Sequence, residues 1–137
     1  MEMAGIRMAT QASTHTPTVM VVEDEFIIAL DLSETVADLG LRCEGPFSTN
    51  SGALKALADE MPDCAILDVM IGDGEVFPVA DALTSAGVPI IFHSGHVPPE
   101  EVRTRYPEAI ACSKPCPPDQ LIAMVTQALQ AHPTNNH

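Results

Sequence analysis

Charged and hydroxyl side chains follow four short apolar runs of this chain. Glu23 and Asp24 come directly after the first run, and Asp68 ends another, Ala-Ile-Leu, just ahead of a Gly-Asp-Gly turn at 72–74. Ser94 and Lys114 follow two later runs. Burying a lone carboxylate costs several kcal/mol, so Asp68 at the end of a buried strand requires a partner or a function.

These residue types together indicate phosphoryl chemistry. Two carboxylates ~5 Å apart repel by about 3 kcal/mol at an effective dielectric of ~20. A crevice holding three carboxylates therefore needs a cation, and their hard oxygen atoms favour Mg²⁺. Lys114 adds a point charge and Ser94 a hydrogen-bond donor for phosphate oxygens. The set predicts a site for a transferred phosphoryl group, with Asp68 as the nucleophile.

The elements that position these residues alternate regularly. Short apolar runs predict strands at 18–22, 41–47, 64–67, 88–92 and 109–112. Between and after them, helical patterns cover 26–39, 50–60, 75–86, a short stretch ending near Tyr106, and 120–130. In the first helix we expect an apolar face made of Phe26, Ile27, Leu30, Val36 and Leu39. This (βα)₅ alternation predicts a doubly wound parallel sheet, whose strand ends meet at one rim.

Composition limits the function classes. The 137 residues are 46% hydrophobic with a formal net charge of -13. We predict one folded domain at 17–131, a flexible arm at 1–16 and a tail at 132–137. The acidic balance argues against nucleic acid as a partner. We expect no membrane contact, because no run is long enough to span a bilayer and no signal peptide is apparent. The four cysteines lack metal-site spacing, which favours free thiols in the reducing cytoplasm.

The chain resembles a response-regulator receiver domain over residues 17 to about 131. The motifs that carry the likeness are Val-Val-Glu23-Asp24-Glu, Ile-Leu-Asp68-Val-Met, Phe92-His-Ser94-Gly and Ser-Lys114-Pro115. The resemblance implies a flavodoxin-like strand order 2-1-3-4-5 and phosphorylation of Asp68 by a phosphohistidine of a sensor histidine kinase or phosphotransfer protein. It also implies a non-enzymatic signalling role, without independent turnover, and a cis peptide between Lys114 and Pro115.

The same resemblance assigns the remaining site residues. Mg²⁺ would be bound by Asp24, Asp68 and the backbone carbonyl of Met70, with Glu23 acting through water. Ser94 and Lys114 would bind the phosphoryl oxygens. Receivers usually carry an aromatic residue three positions before the lysine, where this chain has Ala111.

The run Phe92-His93-Ser94-Gly95-His96 is partly similar to the single-domain regulators with a Phe-Ala-Thr-Gly run, and we expect a stand-alone receiver. Without an aromatic residue at position 111, another element must report phosphorylation. We expect that role for residues 94–107, a glycine-containing loop and a short helix, with Gly95, His96 and Tyr106 supporting the switch.

Three other functions compete with this interpretation. Aspartyl-phosphate phosphohydrolases carry Asp-x-Asp, whereas residue 70 here is Met. A flavodoxin-type electron carrier needs a phosphate loop after the first strand, where Glu23-Asp24-Glu25 would repel a flavin phosphate. A degenerate receiver used only for docking would have no need to keep Asp24, Asp68, Ser94 and Lys114.

Overall fold

Five parallel strands form the centre of the fold. The computed structural model describes residues 16–95 and 99–131, with the side chains of Pro99 and Ala131 left out. The strands are β1 (Thr18–Val22), β2 (Arg42–Phe47), β3 (Cys64–Leu67), β6 (Ile90–Ser94) and β7 (Ile110–Ser113). Their spatial order is β2-β1-β3-β6-β7, and every neighbouring pair is parallel. Because β6 and β7 are the fourth and fifth strands of this sheet along the chain, the predicted flavodoxin-like order 2-1-3-4-5 is confirmed.

In the part of the chain that the structure describes, five helices cover the two faces of this sheet. They are α1 (Phe26–Asp38), α2 (Asn50–Asp59), α3 (Phe77–Ser85), α4 (Pro99–Arg105) and α5 (Pro118–Ala131). One core cluster joins Val19, Val21 and Ile66 of the sheet to α1 and α5. The other joins Met20, Leu67 and neighbouring strand residues to α2, α3 and α4. Among the residues described, no helix is both long enough and apolar enough to cross a membrane.

Burial explains which predicted strands have the right ends. β1 and β3 begin and end as predicted. Every residue in them is buried, and all except Thr18 are apolar, so each strand forms a continuous apolar run. The strand predicted at 88–92 lies instead at Ile90–Ser94. His93 and Ser94 extend it by pairing with Cys112 and Ser113 of β7. Their polar side chains hid this extension from an apolar pattern.

The predicted apolar face of α1 is wrong at three of its five positions. Phe26, Ile27 and Leu30 are exposed by 78%, 73% and 45%. The residues that pack on the sheet are Leu32 and Val36, with Ile28 beside them, and Ala29 is buried as well. The buried side of the helix therefore excludes Phe26, Ile27 and Leu30, whose large side chains face solvent.

A two-stranded hairpin was not predicted. The strands β4 (Met70–Ile71) and β5 (Gly74–Glu75) pair antiparallel directly after β3. Sequence analysis treated this stretch as a simple turn, because two-residue strands leave no alternating pattern. Asp73, at the tip of this hairpin, accepts hydrogen bonds from the first N–H groups of α2, so it does more than form the turn.

Candidate functional site

The carboxyl ends of the central strands place the predicted residues at one rim. Val22 of β1 is the partner of Leu67 in β3, and Leu67 is the partner of Phe92 in β6. Glu23 and Asp68 are each the next residue along their strands, so they emerge side by side. Ser94 pairs with Ser113 of β7, and Lys114 follows at once. Positions some ninety residues apart in the chain thus meet in one crevice, as open parallel sheets arrange them.

Lys114 lies at the centre of this crevice. Its ammonium nitrogen Nζ is 3.0 Å from Glu23 Oε1, 3.0 Å from Glu25 Oε1 and 3.0 Å from Asp68 Oδ2. The side chains of Glu23 and Asp68 are 0% and 4% exposed, whereas that of Glu25 is 63% exposed. One cation therefore balances two buried carboxylates and one at the surface. The Lys114–Pro115 peptide is cis, which confirms the sequence prediction, and Gly45–Pro46 is cis as well.

Burial changes the protonation of this group. Desolvation raises the pKa of Glu23 to about 7, although the backbone N–H of Glu25 and the ammonium of Lys114 act in the opposite direction. For Lys114, desolvation lowers the pKa, but its hydrogen bonds to Glu23, Glu25 and Asp68 outweigh it and leave the pKa above its ordinary value. Near neutral pH the cluster therefore carries a permanent ammonium and a glutamate that exchanges its proton readily.

The donor set fits a hard divalent cation. Oxygen atoms of Glu23, Glu25 and Asp68 all lie within 4.8 Å of one another. Asp68 Oδ1 is buried and makes no hydrogen bond within the described structure, so it retains its full capacity to accept a ligand. Asp24 is exposed and lies outside this group, and Met70, whose carbonyl was predicted to bind the ion, has a side chain that is 41% exposed. Carboxylate oxygens of this kind suit Mg²⁺.

Two of the predicted phosphate-binding and switch residues, Ser94 and Gly95, lie next to Lys114. Ser94 is 5% exposed at the end of β6, and its carbonyl accepts a hydrogen bond from the backbone N–H of Lys114 at 3.1 Å. Gly95 lies against the Lys114 side chain, since a Cβ there would be 3.6 Å from its Cβ. Tyr106 is buried, and its ring lies 5.8 Å from that of Phe77 and 5.3 Å from that of Phe92. His96 lies outside the described residues.

Sequence reasoning missed two members of this neighbourhood. Glu25 was treated as part of an acidic helix start, yet its carboxylate meets Lys114 and its N–H donates to Glu23 Oε2 at 3.0 Å. Alternation along extended backbone places residues i and i+2 on one side, and this would have paired Glu25 with Glu23. His93 is 5% exposed, and neither ring nitrogen has a hydrogen bond among the described residues. Its desolvation lowers the pKa, so the ring is neutral at pH 7.

Comparisons with known proteins agree with this geometry. A scan against models of protein families gives no match. The chain is 31% identical over 131 residues to the phyllosphere-induced regulator PhyR of Methylorubrum extorquens, a match that covers 92% of this chain and 47% of PhyR. The chain thus spans about half the length of that relative.

Two solved structures resemble the fold over nearly their whole length. The response regulator receiver protein from Sinorhizobium medicae is 27% identical with a TM-score of 0.78, over 88% of this chain and 99% of that one. The receiver domain of Erythrobacter litoralis PhyR is 27% identical with a TM-score of 0.74, over 86% and 93%. With the strand order and the aspartate–lysine crevice, these matches show that the chain has the fold of the response-regulator receiver domains and is similar to them in sequence.

Proposed function

We propose that Asp68 accepts a phosphoryl group from a phosphohistidine on a sensor histidine kinase or a phosphotransfer protein. The observation that supports this most directly is the contact between the buried Asp68 carboxylate and the Lys114 ammonium at 3.0 Å. A nucleophilic carboxylate, a fixed cation and a nearby hydroxyl, that of Ser94, are what transfer of a phosphoryl group requires. PhyR and the receiver structures support the same assignment.

The transfer balances with the groups present. A carboxylate oxygen of Asp68 attacks phosphorus, the bond between phosphorus and the histidine nitrogen breaks, and its electron pair returns to the imidazole. Lys114 then has a phosphoryl oxygen to bind in addition to Asp68, and Ser94 can donate its hydroxyl hydrogen to another. Acyl phosphate formation needs no further reactant, and we propose no independent enzymatic turnover.

Mg²⁺ is the cation we propose for this site. Asp24, Asp68 and the carbonyl of Met70 would hold it and Glu23 would act through water, while Glu25 offers a further carboxylate beside Glu23 and Asp68. When bound, the ion neutralises the charge that develops on the phosphoryl oxygens. The protein itself buries Glu23 and Asp68, orients Asp68 through Lys114, and keeps the carboxylates together.

For the output we propose a switch in residues 94–107. Ser94 would be drawn toward the phosphoryl group, and β6 contains Phe92 two residues earlier. The ring of Phe92 lies 5.3 Å from that of Tyr106, whose hydroxyl donates to Asp81 Oδ1 at 2.6 Å. A displacement at Ser94 could therefore be transmitted through the contacts of Phe92 and Tyr106 to α3 and to the end of α4. Hydrogen exchange on free and phosphorylated protein would test this, and unchanged protection in the described part of 94–107 would contradict it.

A protein partner has an apolar surface available next to the crevice. Phe26, Ile27 and Leu30 are exposed on the first turns of α1, immediately after Glu25. We propose that a kinase or phosphotransfer protein contacts this surface while its phosphohistidine reaches Asp68. Large exposed apolar side chains that lie together are typical of interaction sites.

Intact mass spectrometry tests the proposed function. The protein is incubated with Mg²⁺ and a small phosphodonor such as acetyl phosphate, and one added phosphoryl group is expected. Asp68→Asn should abolish the addition, and Asp59→Asn, which changes an exposed carboxylate at the end of α2, should leave it intact. Labelling of Asp68→Asn to the wild-type extent would show that another residue is the acceptor.

A further inference from the structure

The hairpin β4–β5 is attached to the start of α2 by a set of hydrogen bonds that the phosphoacceptor chemistry does not itself require. Asp73 Oδ1 accepts from the backbone N–H of Asn50 at 2.7 Å and from its Nδ2 at 3.2 Å, and Oδ2 accepts from the N–H of Ser51 at 3.2 Å. Asn50 Nδ2 also donates to the carbonyl of Glu75 at 2.8 Å. The side chains of Asp73 and Asn50 thus join the turn and the second strand of the hairpin to one helix; we call this set the Asp73–Asn50 clamp.

The clamp supplies what α2 lacks at its N-terminus. The first N–H groups of a helix have no partner within it, and α2 has no acidic residue in its first turn. Thr49 Oγ1 accepts from Gly52 at 3.1 Å, and Asp73 takes the N–H groups of Asn50 and Ser51. The hydrogen bond from the backbone of Asn50 is the main reason that the pKa of Asp73 lies below its usual value. The carboxylate is therefore ionised and bonded throughout the physiological pH range.

A close backbone contact holds the hairpin at the same place. The N–H of Gly72 donates to the carbonyl of Ser48 at 2.9 Å. A Cβ on residue 72 would lie 2.9 Å from that same oxygen, which real side chains do not allow. Glycine at 72 is thus required for the hairpin to reach the loop before α2, and this contact is independent of the Asp73 carboxylate.

The hairpin begins two residues after the phosphoacceptor. Val76 donates its N–H to the carbonyl of Val69 at 2.8 Å, and Met70 pairs with Glu75 across the hairpin. Val69 and Ile71 are buried on either side of Met70. The orientation of the Met70 carbonyl therefore depends on where the hairpin is fixed, and the clamp fixes it.

We propose that Asp73 and Asn50 are positioning residues for the phosphoacceptor site. By anchoring β4–β5 to α2, they hold the backbone of Met70, whose carbonyl is the proposed ligand, in one position and so set the affinity for Mg²⁺. This inference rests on the proposed function for its significance, because the metal is the one proposed for phosphoryl transfer. It assigns a role to an exposed turn residue that touches none of the reacting groups.

The test compares variants that break the clamp with one that only weakens the helix cap. Asp73→Ala removes the carboxylate, and Gly72→Ala separates the hairpin from Ser48 by steric contact. Thr49→Val is the matched control, since it removes the hydroxyl acceptor at the same helix terminus, keeps the side-chain shape and leaves the hairpin bonds untouched. All three variants are expected to lower the melting temperature.

Two measurements separate positioning from general stability. Calorimetric titration of the unphosphorylated protein should show Mg²⁺ binding three- to tenfold weaker in Asp73→Ala and Gly72→Ala and changed less than twofold in Thr49→Val. In metal-free protein, amide hydrogen exchange at Gly72 should be at least tenfold faster in Asp73→Ala, and the increase at Gly72 should exceed that at Leu57 in α2. Asp73→Asn keeps one oxygen acceptor and should fall between wild type and Asp73→Ala.

Phosphorylation gives a third readout. With a small phosphodonor, Asp73→Ala should need three- to tenfold more Mg²⁺ for the half-maximal rate, while the rate at saturating Mg²⁺ stays within twofold of wild type. Mg²⁺ affinity that is equal in Asp73→Ala and wild type, or lowered as much by Thr49→Val, would overturn the inference. If the wild type binds Mg²⁺ in a clamp-dependent way yet is never labelled at Asp68, the proposed function fails and the clamp stands.

Discussion

Replacing Lys114 with methionine tests whether this residue is the counter-ion of the metal-free crevice. The change keeps most of the aliphatic stem and removes the charge that is shared by Glu23, Glu25 and Asp68. Their oxygen atoms lie within 4.8 Å of one another, and at an effective dielectric of ~20 each such pair repels by about 3.5 kcal/mol. The variant must bear this repulsion or take up protons.

The expected loss is smaller than the sum of those repulsions. Removing one partner of a buried ion pair costs about 3–5 kcal/mol. Solvent screens Glu25, whose side chain is 63% exposed, and Glu23 can bind a proton because its pKa is about 7. We therefore expect Lys114→Met to lower the free energy of unfolding by about 3 kcal/mol at pH 8 in the presence of a chelator.

The same variant should bind Mg²⁺ more tightly. A monovalent and a divalent cation about 5 Å apart repel by roughly 7 kcal/mol at an effective dielectric of ~20, and even a small part of that energy is worth tenfold in affinity. Urea denaturation with chelator and with Mg²⁺ measures both effects at once. Mg²⁺ should restore much of the stability lost by Lys114→Met.

The chain offers a matched control in Lys55, which is its other lysine and lies exposed on α2. Lys55→Met should change neither the free energy of unfolding nor the free energy of Mg²⁺ binding by more than a few tenths of a kcal/mol. The reasoning is refuted if Lys114→Met is as stable as Lys55→Met in chelator, or if its Mg²⁺ affinity is no higher than that of wild type.

Three further predictions concern protonation, the metal and the proposed switch. In chelator, wild type should lose up to about 3 kcal/mol of stability relative to Glu23→Gln as the pH rises from about 4.5 to 7. The pKa of Glu23 is raised in the folded state, so protonation stabilises that state, and the stabilisation is lost when Glu23 ionises. A constant difference between the urea midpoints of the two proteins across this pH range would contradict it. Asp24→Asn should weaken Mg²⁺ binding more than Glu23→Gln, since Asp24 is proposed to bind the ion directly and Glu23 through water, and equal losses in titration would remove the distinction. Tyr106→Phe should cost about 1 kcal/mol in urea denaturation, because it deletes the 2.6 Å hydrogen bond to the partly exposed Asp81; an unchanged midpoint would mean that this bond contributes nothing.

The sequence predicted the sheet better than the helix faces. β1 and β3 are buried on both sides, so their composition alone marks their ends. In α1, apolar side chains occur around much of the helix, and periodicity could not decide which of them meet the sheet. The choice depends on packing against α5 and the strands, in which Leu32 and Val36 are buried and Phe26 is left exposed.

The site was predictable where a residue type is rare and its place in the fold is fixed. Asp68 ends a buried strand, and Lys114 is one of two lysines in the chain. It was harder to predict which acidic residue contacts Lys114. Three acidic residues follow one another at 23–25, and only the side chains of Glu23 and Glu25 reach it. Asp73 could not be found, since its partners Asn50 and Ser51 are more than twenty residues away.

The exposed side chains of Phe26, Ile27 and Leu30 have a consequence for the behaviour of the protein at high concentration. Neighbouring large apolar side chains on one helix favour contact between copies of the same chain. A formal net charge of -13 opposes such contact, because two copies repel before their apolar surfaces meet. This repulsion weakens as the Debye length falls to about 3 Å in 1 M salt. Colloidal stability should therefore decrease with added salt, and the surface remains available to a partner because electrostatic repulsion keeps identical copies away from it.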